Sequence, residues 1–267
     1  MHPLVNIATQ AALEAGEIIR HYQEHIDQLD IESKGKNDYV SQVDKQAENA
    51  IIQTIRKYHP NHAILAEESG RQGKENQGVE WIIDPLDGTT NFLHQFPQFS
   101  ISIAVREKGK LQHAVIYDPM RDEMFTASRG QGAFLNNRRI RVSEQKDLDD
   151  SLLATGFPYH DFSYIDSYLA SFKSFMQQTA GIRRAGSAAL DLAYVACGRV
   201  DGFWEFNLKP WDIAAGVLLI KEAGGLATDF NGGENFLDSG NIMAANPKLY
   251  KQMAKVIGQT VPAEHRA

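Results

Sequence analysis

The sequence "WIIDPLDGTTNF" at residues 81–92 places two aspartates close together behind a short apolar run. Asp84 ends the run, Asp87 follows after a proline and a leucine, and Gly88 and two threonines come next. Oxygen atoms of such groups are the ligands that Mg²⁺ prefers. Asp-Pro also suits the first two positions of a type I turn, with Gly88 supplying a positive φ. This stretch alone leaves a metal site and a simple turn open, and in "DPMRD" at 118–122 we predict only a hairpin turn.

Further acids and polar groups favour the metal site. Glu67 and Glu68 follow the apolar run "AILA", and Asp212 opens a predicted helix after a Pro-Trp pair. The residues "GTTN" offer backbone amides and hydroxyls directly after Asp87. Clustered acids repel one another and raise one another's pKa, a penalty that a divalent cation removes. We therefore predict a magnesium site built from these carboxylates.

Each of these residues also has an ordinary structural explanation. Asp212 is suited to capping its own helix, which is the commoner role of an aspartate at such a position. Glu67 and Glu68 could form an exposed, solvated loop. Ser187 in "AGSAALD" is predicted to cap the next helix, a role compatible with binding an anion at the helix N-terminus. The sequence leaves these alternatives open.

Other chemistries lack their motifs. The sequence has no Gly-x-x-x-x-Gly-Lys phosphate loop and no His-Glu-x-x-His zinc motif. "GQGAFL" at 130–135 lacks the third glycine of a dinucleotide loop, and strand-like residues follow it. Cys197 lies among apolar residues of a predicted helix, which favours a buried, inert thiol over a nucleophile.

The composition is that of an ordinary globular protein. Of the 267 residues, 43% are hydrophobic and 23% are charged. A chain of this length can form one large domain or two closely packed ones. With a single cysteine and no signal peptide or membrane-spanning run, we expect a cytoplasmic protein without membrane partners. The net charge of −7 argues against general or sequence-specific nucleic-acid binding, although a local basic patch remains open.

Hydrophobic periodicity predicts a mixed α/β or α+β fold. Spacing typical of helices occurs near 3–25 and 43–58, on either side of a polar loop at 32–40. A period of two between about 98 and 142 predicts an antiparallel meander, and from a strand at 152–155 onward helices and strands alternate. We expect an N-terminal α+β lobe at 1–150 that carries most metal ligands, and a C-terminal α/β lobe at 151–267. The two form one compact unit with a seam near 143–151.

Three stretches in a fixed order, "AEES", "WIIDPLDGTTNF" and "WDIAAGVLLIKEAGG", resemble the inositol monophosphatase family of Mg²⁺-dependent phosphatases. The likeness covers nearly the whole chain, including "KGKNDYVSQVDKQAE" and "RRAGSAALDLAYVACGRVDGFWE". It implies a layered α-β-α-β-α sandwich and a homodimer. It also implies hydrolysis of inositol 1-phosphate and similar polyol phosphates by a metal-activated water, with two or three Mg²⁺ ions per site and inhibition by Li⁺.

The resemblance implies a role for each matching residue. The metal ligands would be Glu67, Asp84, the carbonyl of Leu86, Asp87 and Asp212. The residues that act on the attacking water would be Glu67, Thr89 and Asp44. The substrate contacts would be Leu86, Asp87, Gly88, Thr89, Arg183, Ser187, Glu205 and Asp212. Lys34 falls in a loop that the family associates with a third, weaker metal.

Two other functions remain open. A related phosphatase acting on fructose bisphosphate, a nucleotide phosphate or NADP would share the metal core, although Glu205 suits a hydroxyl-rich ring better than a second phosphate. The likeness is also to a bacterial branch associated with antitermination of ribosomal RNA transcription through RNA polymerase and Nus factors. In that role phosphatase activity would be secondary, and the Arg183-Arg184 pair could serve substrate, dimer or partner.

Overall fold

The computed structural model describes residues 2–26, 31–35, 38–73, 78–157 and 161–266, the stretches 31–35 and 38–41 by backbone alone. The helices are α1 Pro3–Gln23, α2 Gln42–Tyr58, α3 Thr89–Leu93, α4 Ile165–Met176, α5 Ala188–Ala196, α6 Pro210–Glu222, α7 Phe236–Ser239 and α8 Pro247–Thr260, with a 3-10 helix at Ala263–His265. The strands in the first half are β1 Ile31–Gly35, β2 Asp38–Ser41, β3 Ala63–Ala66, β4 Gly70–Gln72, β5 Val79–Asp87, β6 Ser100–Glu107, β7 Lys110–Asp118, β8 Glu123–Ser128, β9 Gly132–Leu135 and β10 Arg138–Arg139. The later strands are β11 Leu152–Thr155, β12 Gly181–Arg183, β13 Gly202–Glu205, β14 Leu226–Thr228 and β15 Ile242–Ala245.

An eight-stranded sheet with strand order β10-β9-β8-β7-β6-β5-β3-β4 forms the larger β layer. Its strands pair antiparallel except β3 and β5, which are parallel. One face of this sheet carries Trp81, Ile83 and Tyr117, and helices α1 and α2 bury their apolar sides against it. Apolar residues recur at helical spacing in both helices, which explains why each presents one continuous face to the sheet.

Helices α5 and α6 form the middle layer. They pack on the opposite face of the larger sheet, around Ile82 and Ile116, and also on the five-stranded sheet, around Phe203 and Ala244. Every residue of α6 from Ile213 to Ile220 is buried. A helix that is apolar on all sides requires neighbours on all sides, and the two sheets provide them.

The five-stranded sheet, with order β12-β11-β13-β15-β14, has helices α4 and α8 on its outer face. The resulting order of layers is α-β-α-β-α, which confirms the fold class. The larger sheet uses residues before 140 and the smaller one residues after 151. The division into two lobes stays a prediction.

Most helices lie close to their predicted positions, and the differences occur in short elements. Strands β1 and β2 pair antiparallel within the stretch predicted to be a polar loop. The periodicity also missed α3, α7 and the short strands β4 and β12, because three to five residues carry too little pattern. The side chain of Lys34 lies outside the described residues. No helix in the described ranges is long and apolar enough to cross a membrane.

Two helical glycines give a test of the middle layer. A Cβ placed on Gly216 of α6 would lie 2.5 Å from Leu192 Cβ of α5, whereas one on Gly258 of α8 would meet nothing within 4 Å. We expect Gly216→Ala to lower the free energy of unfolding by about 1–3 kcal/mol through overpacking. Gly258→Ala should raise it by roughly 0.5–1 kcal/mol, because alanine favours the helix. Denaturant unfolding of both variants checks this, and a stabilised Gly216→Ala would contradict the close α5–α6 packing.

Candidate active site

The two aspartates of the opening motif lie on a bulge in β5. Asp84 pairs with Ser102 of β6 and Asp87 with Ser100, so three steps along β5 oppose two along β6. The Asp84 carboxylate accepts a hydrogen bond of 3.0 Å from the backbone N–H of Leu86, inside the bulge. A bulge re-aims side chains within a sheet, so the alternative of a simple type I turn is wrong here. The corresponding Asp118 does form the predicted hairpin turn between β7 and β8.

Gly88 and Thr89 turn the chain from β5 into α3. Gly88 has a φ of +104°, as predicted, and a Cβ there would lie 2.9 Å from the carbonyl oxygen of Gln98. Thr89 Oγ1 lies 2.9 Å from Asp44 Oδ1 of α2 and 3.1 Å from the Leu86 carbonyl oxygen. The hydroxyl has a single proton, so it can donate to only one of these acceptors at a time.

The N-terminus of α5 holds Asp87. Its Oδ2 accepts hydrogen bonds from Ser187 Oγ at 2.6 Å and from the backbone N–H of Ala189 at 2.7 Å. Ser187 is the N-cap of α5, as predicted, and its hydroxyl accepts from the N–H of Leu190. Helix N-termini favour negative charge, which anchors this carboxylate beside the helix.

Asp212 caps α6 and also lines the cavity described below. Asp212 is the third residue of α6, and its Oδ2 accepts a 2.7 Å hydrogen bond from the backbone N–H of the N-cap residue, Lys209. It therefore caps the helix from within the first turn and is not itself the N-cap. Glu48 of α2 plays a comparable role for the turn after β3, because it accepts hydrogen bonds from the N–H groups of Glu68 and Ser69. Glu48 therefore fixes the turn that carries Glu67, which is half-buried rather than fully solvated.

These elements surround one cavity of about 350 Å³. Six acidic side chains line it: Glu67, Asp84, Asp87, Asp191, Glu205 and Asp212. Leu86, Gly88, Thr89 and Ser187 line it as well. Asp44 is buried behind the wall and reaches the cavity through Thr89. Among the predicted site residues whose side chains the structure describes, only Arg183 neither lines the cavity nor lies behind its wall.

Arg183 is exposed at the end of β12 and does not line the cavity, so its position does not support the predicted substrate contact. Its neighbour Arg184 lines the cavity and lies over the ring of Phe157, with the guanidinium carbon 5.1 Å from the ring centroid. Consecutive side chains near a strand end point to opposite sides, so the strand register decides which arginine faces the cavity.

The acids raise one another's pKa. Glu67, Asp84 and Asp212 lie close enough together for the charge of each of the other two to act on Asp84. Burial, followed by the neighbouring carboxylates, raises the pKa of Glu67 and Asp84 well above the usual range. Burial and the charge of Asp87 raise the pKa of Asp212 to about 7. Burial raises the pKa of Asp87 to about 6, against the hydrogen bonds from the α5 N-terminus.

Sequence reasoning missed Asp191, which the structure places in the cavity wall at 3% exposure. Burial and then the charge of Asp87 raise its pKa well above the usual range. An acid in the first turn of a helix contributes about 0.3–1 kcal/mol. Burying an unpaired carboxylate costs several kcal/mol, so its place in α5 does not account for its burial. Its i,i+4 spacing from Ser187 was the available sequence signal.

The chemistry of the donor set fits Mg²⁺, because carboxylate and carbonyl oxygens line this part of the cavity. Within the described ranges, no three His, Cys, Asp or Glu side chains already form a group able to hold a metal ion. One oxygen each of Asp87 and Asp212 is held by backbone N–H groups, which leaves the second oxygen of each outside these bonds. The repulsion between the acids is the feature that a cation would relieve.

The fold and this cavity define a class of phosphatase: the chain belongs to the inositol monophosphatase family, whose sequence profile matches residues 1–262. It is 54% identical over 253 residues to the protein named Nus factor SuhB of Escherichia coli (strain K12), covering 95% of each chain. The structure of the extragenic suppressor protein suhB from Bartonella henselae superposes with a TM-score of 0.94 at 44% identity, covering 97% of this chain and 100% of that one. The inositol monophosphatase from Anabaena (Nostoc) sp. PCC 7120 gives 0.87 at 42% identity, covering 98% and 97%. These likenesses confirm the family and the bacterial branch predicted from the motifs.

When a chelator removes metal ions, the raised carboxylate pKa values make the free energy of unfolding depend on pH. Between the ordinary aspartate pKa near 3.9 and the folded-state value of about 7, Asp212 binds more protons in the folded protein than in the unfolded chain. Its contribution to the free energy of unfolding is therefore lost as pH rises through this range. The pKa of His113, lowered to about 4 by burial, has the opposite effect. We expect Asp212→Asn to gain several degrees of thermal stability relative to wild type between about pH 5 and about pH 8.

Thermal unfolding at a series of pH values in EDTA measures this difference. Asp150→Asn changes an exposed acid and should follow the wild-type curve. Parallel curves for wild type and Asp212→Asn would show that the carboxylate does not have the raised pKa.

Proposed function

We propose that the protein is a Mg²⁺-dependent phosphomonoesterase that hydrolyses inositol 1-phosphate and similar polyol phosphates by direct attack of water. The observation that carries this proposal is the convergence of Glu67, Asp84, Asp87 and Asp212 in one cavity, with pKa values raised by burial and mutual repulsion. Acids arranged in this way destabilise the protein unless a cation neutralises them. Family membership supports the phosphatase reaction, and the similarity to an inositol monophosphatase supports the substrate class.

The residues that would hold two or three Mg²⁺ ions are Glu67, Asp84, Asp87 and Asp212, with the carbonyl of Leu86. Such ions, when bound, lower the pKa of a water and neutralise charge that develops on the phosphate and the leaving oxygen. Hydrogen bonds to the backbone hold one oxygen of Asp87 and of Asp212, so the other oxygen of each would be the one to bind an ion.

The chain's own groups would position the water and take its proton. When Thr89 donates its proton to Asp44 Oδ1, the lone pairs of Thr89 Oγ1 are free to accept a hydrogen bond from the attacking water. Glu67, which lines the same cavity, would receive the proton that this water loses. No Ser, Cys or Asp is assigned as a covalent nucleophile, so transfer would go directly to water.

The substrate would lie between the helix N-termini and Glu205. Backbone amides at Gly88 and Thr89 and the N-terminus of α5 near Ser187 would hold the phosphoryl oxygens. Glu205 would accept hydrogen bonds from the polyol hydroxyls. A Cβ on Gly156 would overlap the Glu205 carboxylate, so glycine at that position keeps room for this side chain.

The first test is Asp87→Asn, assayed by Mg²⁺-dependent phosphate release from inositol 1-phosphate with and without Li⁺. The wild type should release phosphate only with Mg²⁺, and Li⁺ should inhibit it. We expect the variant to lose at least about a hundredfold in kcat, because it lacks a charge that holds the metal. It should stay folded, since asparagine can still accept from Ser187 and Ala189.

Asp118→Asn is the matched control, because Asp118, like Asp87, is the last residue of a strand but lies outside the cavity. It should keep the Mg²⁺-dependent rate. Full activity of Asp87→Asn would show that Asp87 is not a metal ligand. A wild type that is inactive with every metal and ester tried would refute the proposed function.

A second role, as a partner of RNA polymerase and Nus factors, is favoured by the similarity to proteins named Nus factor SuhB. In this role the phosphatase reaction would be secondary and the protein would act in the cytoplasm. Arg184, at the cavity beside Phe157, is the basic group placed to contact either a substrate or a protein. The homodimer is proposed from family resemblance alone.

Capture of purified RNA polymerase and Nus factors by Asp87→Asn separates the two roles. We expect the variant to retain partner binding within about twofold of wild type, because the changed side chain lies inside the cavity and its hydrogen bonds can be kept. Loss of capture in Asp87→Asn but not in Asp118→Asn would tie partner binding to the occupied active site.

A further inference from the structure

Two carboxylates of the cavity are not used by the proposed metal site. Asp191 projects from α5 with 3% exposure, and Glu205 ends β13 with 7% exposure. Both line the open cavity. Within the described part of the chain, neither side chain accepts a hydrogen bond. Asp191 is close enough to Glu205 for its charge to raise the pKa of Glu205.

A structural aspartate in the same protein looks different. Asp229 is 4% exposed, and its two oxygens accept hydrogen bonds from the backbone N–H groups of Asn231, Gly233 and Asn235. Those bonds replace the water lost on burial, as buried polar groups require. Asp191 has no such donors among the described residues, although it is equally buried.

The nearby cation, Arg184, does not supply the hydrogen bonds that Asp191 and Glu205 lack. The guanidinium of Arg184 lies over the Phe157 ring, and among the ion pairs of the described residues there is none between it and Asp191 or Glu205. It acts on both acids only as a neighbouring charge. The oxygens of Asp191 and Glu205 can therefore accept hydrogen bonds from a ligand in the open cavity. A ligand that fits them has several neighbouring O–H groups that donate.

We propose that Asp191 is a specificity-determining residue that, together with Glu205, accepts hydrogen bonds from neighbouring hydroxyls of the polyol. The same pair of acids repels a second phosphate, so the site selects polyols that carry a single phosphate group. This assignment rests on the proposed phosphatase function. It assigns Asp191 to substrate choice rather than to metal binding.

The test compares Asp191→Asn with Asp229→Asn on inositol 1-phosphate, on phenyl phosphate, which has no hydroxyls, and on fructose 1,6-bisphosphate. For Asp191→Asn we expect the ratio of kcat/KM for inositol 1-phosphate to that for phenyl phosphate to fall about tenfold, mainly through KM, since a hydrogen bond to a charged group is lost. The relative rate on the bisphosphate should rise. Asp229→Asn should leave both ratios at their wild-type values.

Thermal unfolding in EDTA separates substrate binding by Asp191 from a structural role, because the two roles predict opposite changes in Tm for Asp191→Asn. Asp191→Asn should raise Tm by several degrees, because it removes a buried carboxylate without hydrogen-bond donors, whereas Asp229→Asn should lower it. A lower Tm with unchanged substrate ratios would make Asp191 structural and overturn the proposal. So would an equal loss on inositol 1-phosphate and phenyl phosphate.

Failure of the phosphatase function would be visible separately, as a wild type that hydrolyses none of the three esters. Calorimetric binding of inositol 1-phosphate in the presence of Mg²⁺ then decides the role of Asp191. About tenfold weaker binding to Asp191→Asn would support it as a hydroxyl acceptor, and no binding or equal affinities for wild type and variant would refute it.

Discussion

Repulsion among buried carboxylates is the constraint on which the rest of this structure depends. The acids of the cavity come from distant parts of the chain, and the fold must hold them together against their own charges. It does so with local donors: the N–H of Leu86 for Asp84, the N-terminus of α5 for Asp87 and the first turn of α6 for Asp212. A hydrogen bond to a charged group contributes about 1.5–3 kcal/mol. Such bonds keep each carboxylate in place but leave its charge largely uncompensated.

The layered fold explains why these donors are available at one place. Helices α5 and α6 pack side by side between the two sheets, and the N-terminus of each lies at the cavity. Strand β5 delivers Asp84 and Asp87 from the larger sheet, and β13 delivers Glu205 from the smaller one. The middle layer therefore serves both as the apolar core and as the source of two positively polarised helix ends. A change in the α5–α6 contact would shift both aspartates that those ends hold.

The sequence predicted what local patterns determine. Helices such as α1, α2 and α6 follow from residue spacing within one element, and the Asp-Pro-Leu-Asp motif identified the strand end that carries two site acids. The β5 bulge was missed because it exists only relative to β6. The choice between Arg183 and Arg184 depends on how β12 pairs with β11, a contact that adjacent residues cannot reveal. Asp191 was missed because a first-turn acid is ordinary until tertiary packing buries it.

The acid cluster also bears on whether catalysis or partner binding shaped this cavity. A protein that served only as a binding surface would gain stability if buried, repelling carboxylates were replaced by neutral residues, since stabilising substitutions of this kind are readily accessible. This chain instead directs six acids into one cavity and supports them with a bulge, a left-handed glycine and two helix N-termini. Docking of a macromolecule uses exposed side chains, and it gives no reason for acids such as Asp84 and Asp191 to be buried within this wall. The proposed chemistry on a small ligand therefore accounts for the buried acids, and the proposed partner role does not.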